Sequence, residues 1–99
     1  MIRGTTPTLI FDLPMDTKNL EAIYVTIGQK GRIILDKGID ALERSGKRII
    51  LRLTQKDTLE LQGNQTSEIQ IRVKTFAGDA LASRIFQVNT ERILKDGVI

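Results

Sequence analysis

The chain is expected to fold as an all-β protein: an antiparallel, immunoglobulin-like β-sandwich of about seven strands with one short helical turn. A small β-barrel is the alternative. Three observations predict this. Apolar and polar residues alternate over many short runs, the period of a half-buried strand. Turn-forming residues interrupt those runs roughly every eight to twelve residues. Apolar residues make up 40% of the 99-residue chain but aromatics only 4%, so the core must come from Ile, Leu and Val, which suit strands.

The first strand is read in TPTLIFDLP. Leu9, Phe11 and Leu13 share one face, and Thr8, Ile10 and Asp12 share the other. Pro7 and Pro14 bracket the run and favour an edge position, because proline cannot donate to a central ladder. Asp16 and Thr17 then predict a short loop or a single helical turn. In AIYVTIGQKGRIILDKG, Ile23, Val25 and Ile27 alternate with Tyr24, Thr26 and Gly28. GQKG there reads as a four-residue hairpin connection. IDALERSGK is compatible with a short strand ending at Ser45-Gly46 or with a helical turn.

KRIILRL is a strand with Ile49, Leu51 and Leu53 inward and Arg48, Ile50 and Arg52 outward. Thr54 precedes Asp57 by three residues, an approximate capping-box spacing, so one helical turn is expected there. The last hairpin pairs a strand near Glu68 to Thr75 with one from Leu81 to Asn89, across a turn at AGD. The sandwich domain is thus expected over residues 1–91. Residues 92–99 form a C-terminal tail with no place in the strand count. Fully extended, the ten residues of TERILKDGVI reach roughly 33–36 Å, far enough to lie on a neighbouring molecule or to fold back over the domain's own edge.

Composition excludes several chemistries. Without cysteine or histidine there is no disulfide, no thiolate nucleophile, no Ser-His or Cys-His machinery and no common zinc site. Carboxylates such as Asp36, Asp40, Asp57 and Glu60 lie in turns, where solvated acids are ordinary, and nothing predicts the cleft that paired-acid catalysis needs. GQKGR lacks phosphate-loop spacing. The chain is therefore read as non-enzymatic and without a cofactor. Apolar runs such as Ile33–Leu35 are far too short to span a membrane, and no secretory signal is read at the N-terminus.

The net charge of +3 is mild, but Arg48, Arg52, Arg72 and Lys74 fall on outward strand faces. If their strands share a sheet, they form a basic face able to meet an acidic partner: a host protein, a cell-wall polymer or nucleic acid. Nucleic acid is disfavoured, because base-stacking sheets interleave aromatics and only Tyr24 is placed outward here.

The segments RGTTPTLIFDLP, LRLTQKDTLEL, IQIRVKTFAGDALAS and RILKDGVI together resemble a family of small tail- or baseplate-region proteins. Phages and prophages of Gram-positive bacteria encode that family. The resemblance covers nearly the whole chain, with departures at Asp12 and over residues 38–47. It implies a structural or assembly module, made in the bacterial cytoplasm, associated with the virion and bound to other phage structural proteins. It carries over no catalytic residue. It puts weight on the two ends, so Arg92, Ile93, Leu94, Val98 and Ile99 are expected to bind a partner. Self-association through a strand edge would suit such a component.

Overall fold

The computed structural model describes residues 1–99. In chain order its strands are β1 (Thr8–Asp12), β2 (Leu20–Gln29), β3 (Arg32–Lys37), β4 (Glu43–Ser45), β5 (Arg48–Arg52), β6 (Gln65–Thr75), β7 (Ala80–Ala82) and β8 (Phe86–Thr90). One helix, α1 (Gln55–Leu59), joins β5 to β6. The strands form two antiparallel sheets. One has the order β1-β5-β4. The other runs β3-β2-β6, and both β7 and β8 pair with the far side of β6. These are two separate sheets, so the arrangement is a sandwich and not a barrel.

The parity of the strands explains the core. Ile23, Val25 and Ile27 of β2 stand directly opposite Val73, Ile71 and Ile69 of β6. All six are buried, and they meet Ile49, Leu51 and Leu53 from the other sheet. Burying one such aliphatic side chain stabilises the fold by about 1.5–3 kcal/mol. Leu9 and Phe11 of β1 are only partly buried against this cluster.

Several local expectations need correction. The β2–β3 connection has two residues, not four. Gln29 pairs with Arg32, and Lys30 (φ 51°) and Gly31 (φ 73°) form the turn. Two consecutive positive φ values define the primed turn whose twist matches the hairpin. Just beyond it the register shifts: Ile27 faces Leu35 but Gly28 faces Ile33, which leaves Ile34 as the extra residue of a bulge. A Cβ on Gly28 would lie 2.9 Å from the Arg32 carbonyl oxygen, so a side chain there would crowd the bulge.

Both readings of residues 39–45 occur in succession, as a 3-10 turn over Ile39–Ala41 and then β4. The capping box at α1 forms as expected. The Asp57 N–H donates to Thr54 Oγ1 (3.1 Å), and the Thr54 N–H donates to Asp57 Oδ2 (2.9 Å).

The expected final strand Leu81–Asn89 is broken into β7 and β8, which gives eight strands. Ser83 causes the break. Its N–H donates to the Ile71 carbonyl (2.8 Å), but its own side-chain Oγ accepts the Ile71 N–H (3.0 Å) in place of a main-chain carbonyl. The ladder is interrupted, and β8 rejoins β6 one residue out of step. Ala82 faces Arg72, whereas Phe86 faces Ile69: four steps on one strand against three on the other.

The strand order is that of an immunoglobulin sandwich. β1, β5 and β4 take the places of strands B, E and D, and β3, β2, β6 and β7/β8 take those of C′, C, F and G. No strand lies beside β1 in the place of strand A. The N-terminal residues run along the other sheet, with Ile2 bridged in parallel to Glu91 just past β8.

Candidate protein-interaction site

Because no strand flanks β1, the five-stranded sheet extends one strand further than the sheet that covers it. β7 and β8 form a ledge, and an apolar groove of ≈ 790 Å³ lies between that ledge and β1. Its walls are Leu9, Phe11, Leu13 and Met15 on one side and Leu81, Phe86 and Val88 on the other. Ile69, Ile71 and Val73 form its floor. Each wall residue follows from strand parity. Phe86, Val88 and Leu81 stand opposite Ile69, Ser67 and Val73, so they share the inward face of β6.

The upper rim of the groove is an unpaired strand edge. Leu53 N–H donates to the Pro7 carbonyl (3.0 Å), and Leu13 N–H donates to the Lys47 carbonyl (2.8 Å). The odd-numbered residues of this segment therefore bond to the β5 side. Antiparallel ladders alternate, so the N–H and C=O groups of Thr8, Ile10 and Asp12 point away from β5. By the same alternation Ala80 and Ala82 turn theirs away from β6, because Ser83 N–H bonds to Ile71. Past β8 the edge is partly closed: Glu91 N–H donates to the Met1 carbonyl (2.8 Å), and Arg3 N–H to the Glu91 carbonyl (3.0 Å). Ile10, at the centre of the β1 edge, is 55% exposed.

Residues 92–99 lie back on the domain at the α1 end. Arg3, a residue that sequence reasoning did not single out, organises this region. Its guanidinium donates to the carbonyls of Leu61 (2.7 Å) and Leu59 (3.0 Å) and to Asp96 Oδ1 (2.6 Å). The Arg3 hydrogen bond, the Gly97 N–H and the Arg3 charge hold the Asp96 carboxyl below its ordinary pKa. Gln55 fastens the last residue, accepting from Ile99 N–H (2.8 Å) and donating to the Ile99 carbonyl (3.2 Å). Of the five expected tail residues, Ile93 is half-buried near Gly4 and Arg92 passes over Gly63. Leu94, Val98 and Ile99 keep their side chains outward, Leu94 at 91% exposure.

The structure does not bring the four expected basic residues together. Arg48 and Arg52 lie on β5, in the three-stranded sheet, and Arg72 and Lys74 lie on β6, in the other. Their outward faces point in opposite directions, so they form no common patch. Arg48 pairs with Asp12 (2.9 Å), Arg52 meets both oxygens of Glu43 (3.1 and 3.2 Å), and Lys74 approaches Glu21 (3.5 Å). The Arg52 hydrogen bond and then its charge hold the Glu43 carboxyl below its usual pKa. Arg72 stands opposite the half-exposed Tyr24.

Asp57 is tied to the α1 cap and to Lys37 Nζ (2.8 Å). Burial raises its pKa, but the Lys37 and Thr54 hydrogen bonds together with the Lys37 charge outweigh burial, so the net shift is downward. No three His, Cys, Asp or Glu side chains are grouped to hold a metal ion, and no helix is long and apolar enough to cross a membrane. Comparison with protein-family models, curated proteins and solved structures finds no match to this chain.

Proposed function

We propose that this chain is a non-enzymatic structural or assembly module of a phage or prophage tail or baseplate, acting through protein–protein contacts. The phage setting comes from the resemblance of the quoted segments. The mode of action rests on one observation: the apolar groove beside β1 is bordered by unpaired main-chain groups. Such an edge binds by strand addition. Backbone hydrogen bonds supply affinity, and side chains on alternate residues enter the groove. The outward Leu94, Val98 and Ile99 offer a second, smaller apolar contact at the α1 end.

Contact with an acidic partner through Arg48, Arg52, Arg72 and Lys74 is the weaker reading. Those cations lie on two opposite faces, and three of the four already hold carboxylates.

The test is made on particles from an induced prophage that encodes the chain. Mass spectrometry of purified particles should detect it at a fixed copy number. Ile10→Pro, which removes an outward edge N–H and no β1–β5 hydrogen bond, should lower the yield of intact tails. Particles that lack the chain and assemble normally in its absence would sink the proposal.

A further inference from the structure

Building on that reading, we infer that the groove is filled by a second copy of this chain, in a two-fold dimer whose axis runs along the strands. Each copy is stepped in cross-section: β1 ends one sheet, and β7/β8 project one strand further in the other. A half-turn about an axis parallel to the strands exchanges the two sheets but keeps strand directions. It lowers the ledge of each copy into the step of the other, beside that copy's β1.

The directions agree. β1 ends at Asp12, near the start of β2, and Leu20 there pairs with Thr75 at the end of β6. β1 therefore runs with β6, and β7/β8 run against both. After the half-turn, β1 of one copy is antiparallel to β7/β8 of the other. The N–H and C=O groups of Thr8, Ile10 and Asp12 then meet the outward-turned groups of the partner's ledge, and two such seams form per dimer. Phe86 and Val88 of each copy face the same residues of the second copy across the axis, which closes the apolar groove.

Charge and shape favour this occupant. Arg84, just past β7, has no carboxylate within salt-bridge distance in its own chain, and its guanidinium lies 5.5 Å from the Phe86 ring centroid. Asp12, whose Oδ1 accepts from Arg48 of its own chain, sits at the β7 end of β1 with Oδ2 unpartnered, so the half-turn brings Arg84 of one copy toward that oxygen of the other. The outward residues of the ledge, Ala80, Ala82, Gln87 and Asn89, are neutral, so these positions set no like charge against Asp12. The Asn89 carbonyl is already held by the Met1 ammonium (2.9 Å), which leaves the β7 half of the ledge for the seam. Joining two β1 strands edge to edge is blocked, because the projecting ledge of each copy would collide with β6 of the other.

The test uses the full chain, which has no native cysteine. Ile10→Cys and Ala82→Cys are made as separate single variants and treated with a short bis-maleimide, alone and mixed; sedimentation velocity gives the mass of the parent. A dimeric parent is expected, with cross-linked dimer many-fold more abundant in the mixture than with either variant alone. Ala82→Pro, at an outward N–H, should give a monomer with an unchanged circular dichroism spectrum. If that variant unfolds, the cross-linking pattern still decides. A monomer at every soluble concentration, or cross-linking through Ile10 alone, overturns the inference. A monomer that is still found in particles and needs its β1 edge there overturns only the dimer, and the assembly reading stands. A dimer absent from particles leaves the dimer intact and overturns that reading.

Discussion

Arg92 crosses Gly63 at a distance that leaves no room for a side chain. A Cβ on Gly63 would lie 2.6 Å from both the Cα and the Cβ of Arg92. The C-terminal segment leaves the sheet over that glycine, with Ile93 reaching toward Gly4 beyond it. Gly63→Ala should therefore destabilise the domain by about 1–3 kcal/mol, through forced displacement of backbone. Limited proteolysis should show faster cleavage within residues 92–99 of this variant. Unchanged cleavage and an unchanged urea midpoint would mean that the crossing contributes nothing.

Gln29 should be a stability determinant despite its polar side chain. It is buried at the end of β2 and joins two elements. Its amide nitrogen donates to the Gln62 carbonyl (2.9 Å) and to Ser67 Oγ (3.1 Å), and its amide oxygen accepts the Gln62 N–H (2.8 Å). Ser67 in turn bonds to the buried Thr90 (2.7 Å). Gln29→Ala removes all three hydrogen bonds, leaving Ser67 only its Thr90 partner and the part-buried Gln62 groups without Gln29, and should cost about 1–3 kcal/mol. Chemical denaturation gives the number, and hydrogen exchange at the Gln62 amide should accelerate in step.

Acid should weaken the fold partly through Asp57. Its folded pKa lies below the ordinary carboxylate value, so its contribution is fully present above the unfolded pKa of about 4. That contribution is lost as pH falls through the lower, folded pKa. Asp57→Asn should then be less stable than the parent at neutral pH, and the gap should narrow as pH drops below about 4. Parallel denaturation curves at pH 7 and pH 3 test this. A gap that stays constant with pH would assign the loss to the cap hydrogen bonds and not to charge.

The β2–β3 turn holds a lysine where asparagine is preferred. Lys30 adopts a left-handed conformation, which is costly for a side chain without a local hydrogen bond to offer. Lys30→Asn should raise stability by up to about 1 kcal/mol, read as a higher thermal midpoint. A lower midpoint would show that the lysine makes a compensating contact.

The sandwich was legible because its signals are local. Ile49, Leu51 and Leu53 bury together for the reason their spacing suggests, and Thr54 with Asp57 closes the helix as the three-residue spacing implies. What escaped detection depends on pairing between distant residues. The division of the cations between two sheets follows from β1 joining β5 while β2 joins β6, and strand composition does not encode that choice. The break at Ser83 needs a particular hydroxyl to meet Ile71 across the ladder. The groove arises from which strand ends each sheet, so no single stretch announces it. Arg3 lies far along the chain from Leu59, Leu61 and Asp96, and no spacing rule links them.

The pairing of β1 with β5 also bears on how the chain acquires its shape. Phe11 meets Ile49 only after β2, β3 and β4 have been laid down between them. The hairpins β2–β3 and β4–β5 can close early through short turns, but both sheets wait on distant encounters. Such topologies fold over roughly milliseconds to seconds. During that interval, and throughout synthesis on the ribosome until β5 emerges, Leu9, Ile10 and Phe11 have no strand beside them. Of the eight strands, the first to be made is thus among the last to be protected. A nascent chain halted before Arg48 should be the form of this protein most readily captured by chaperones.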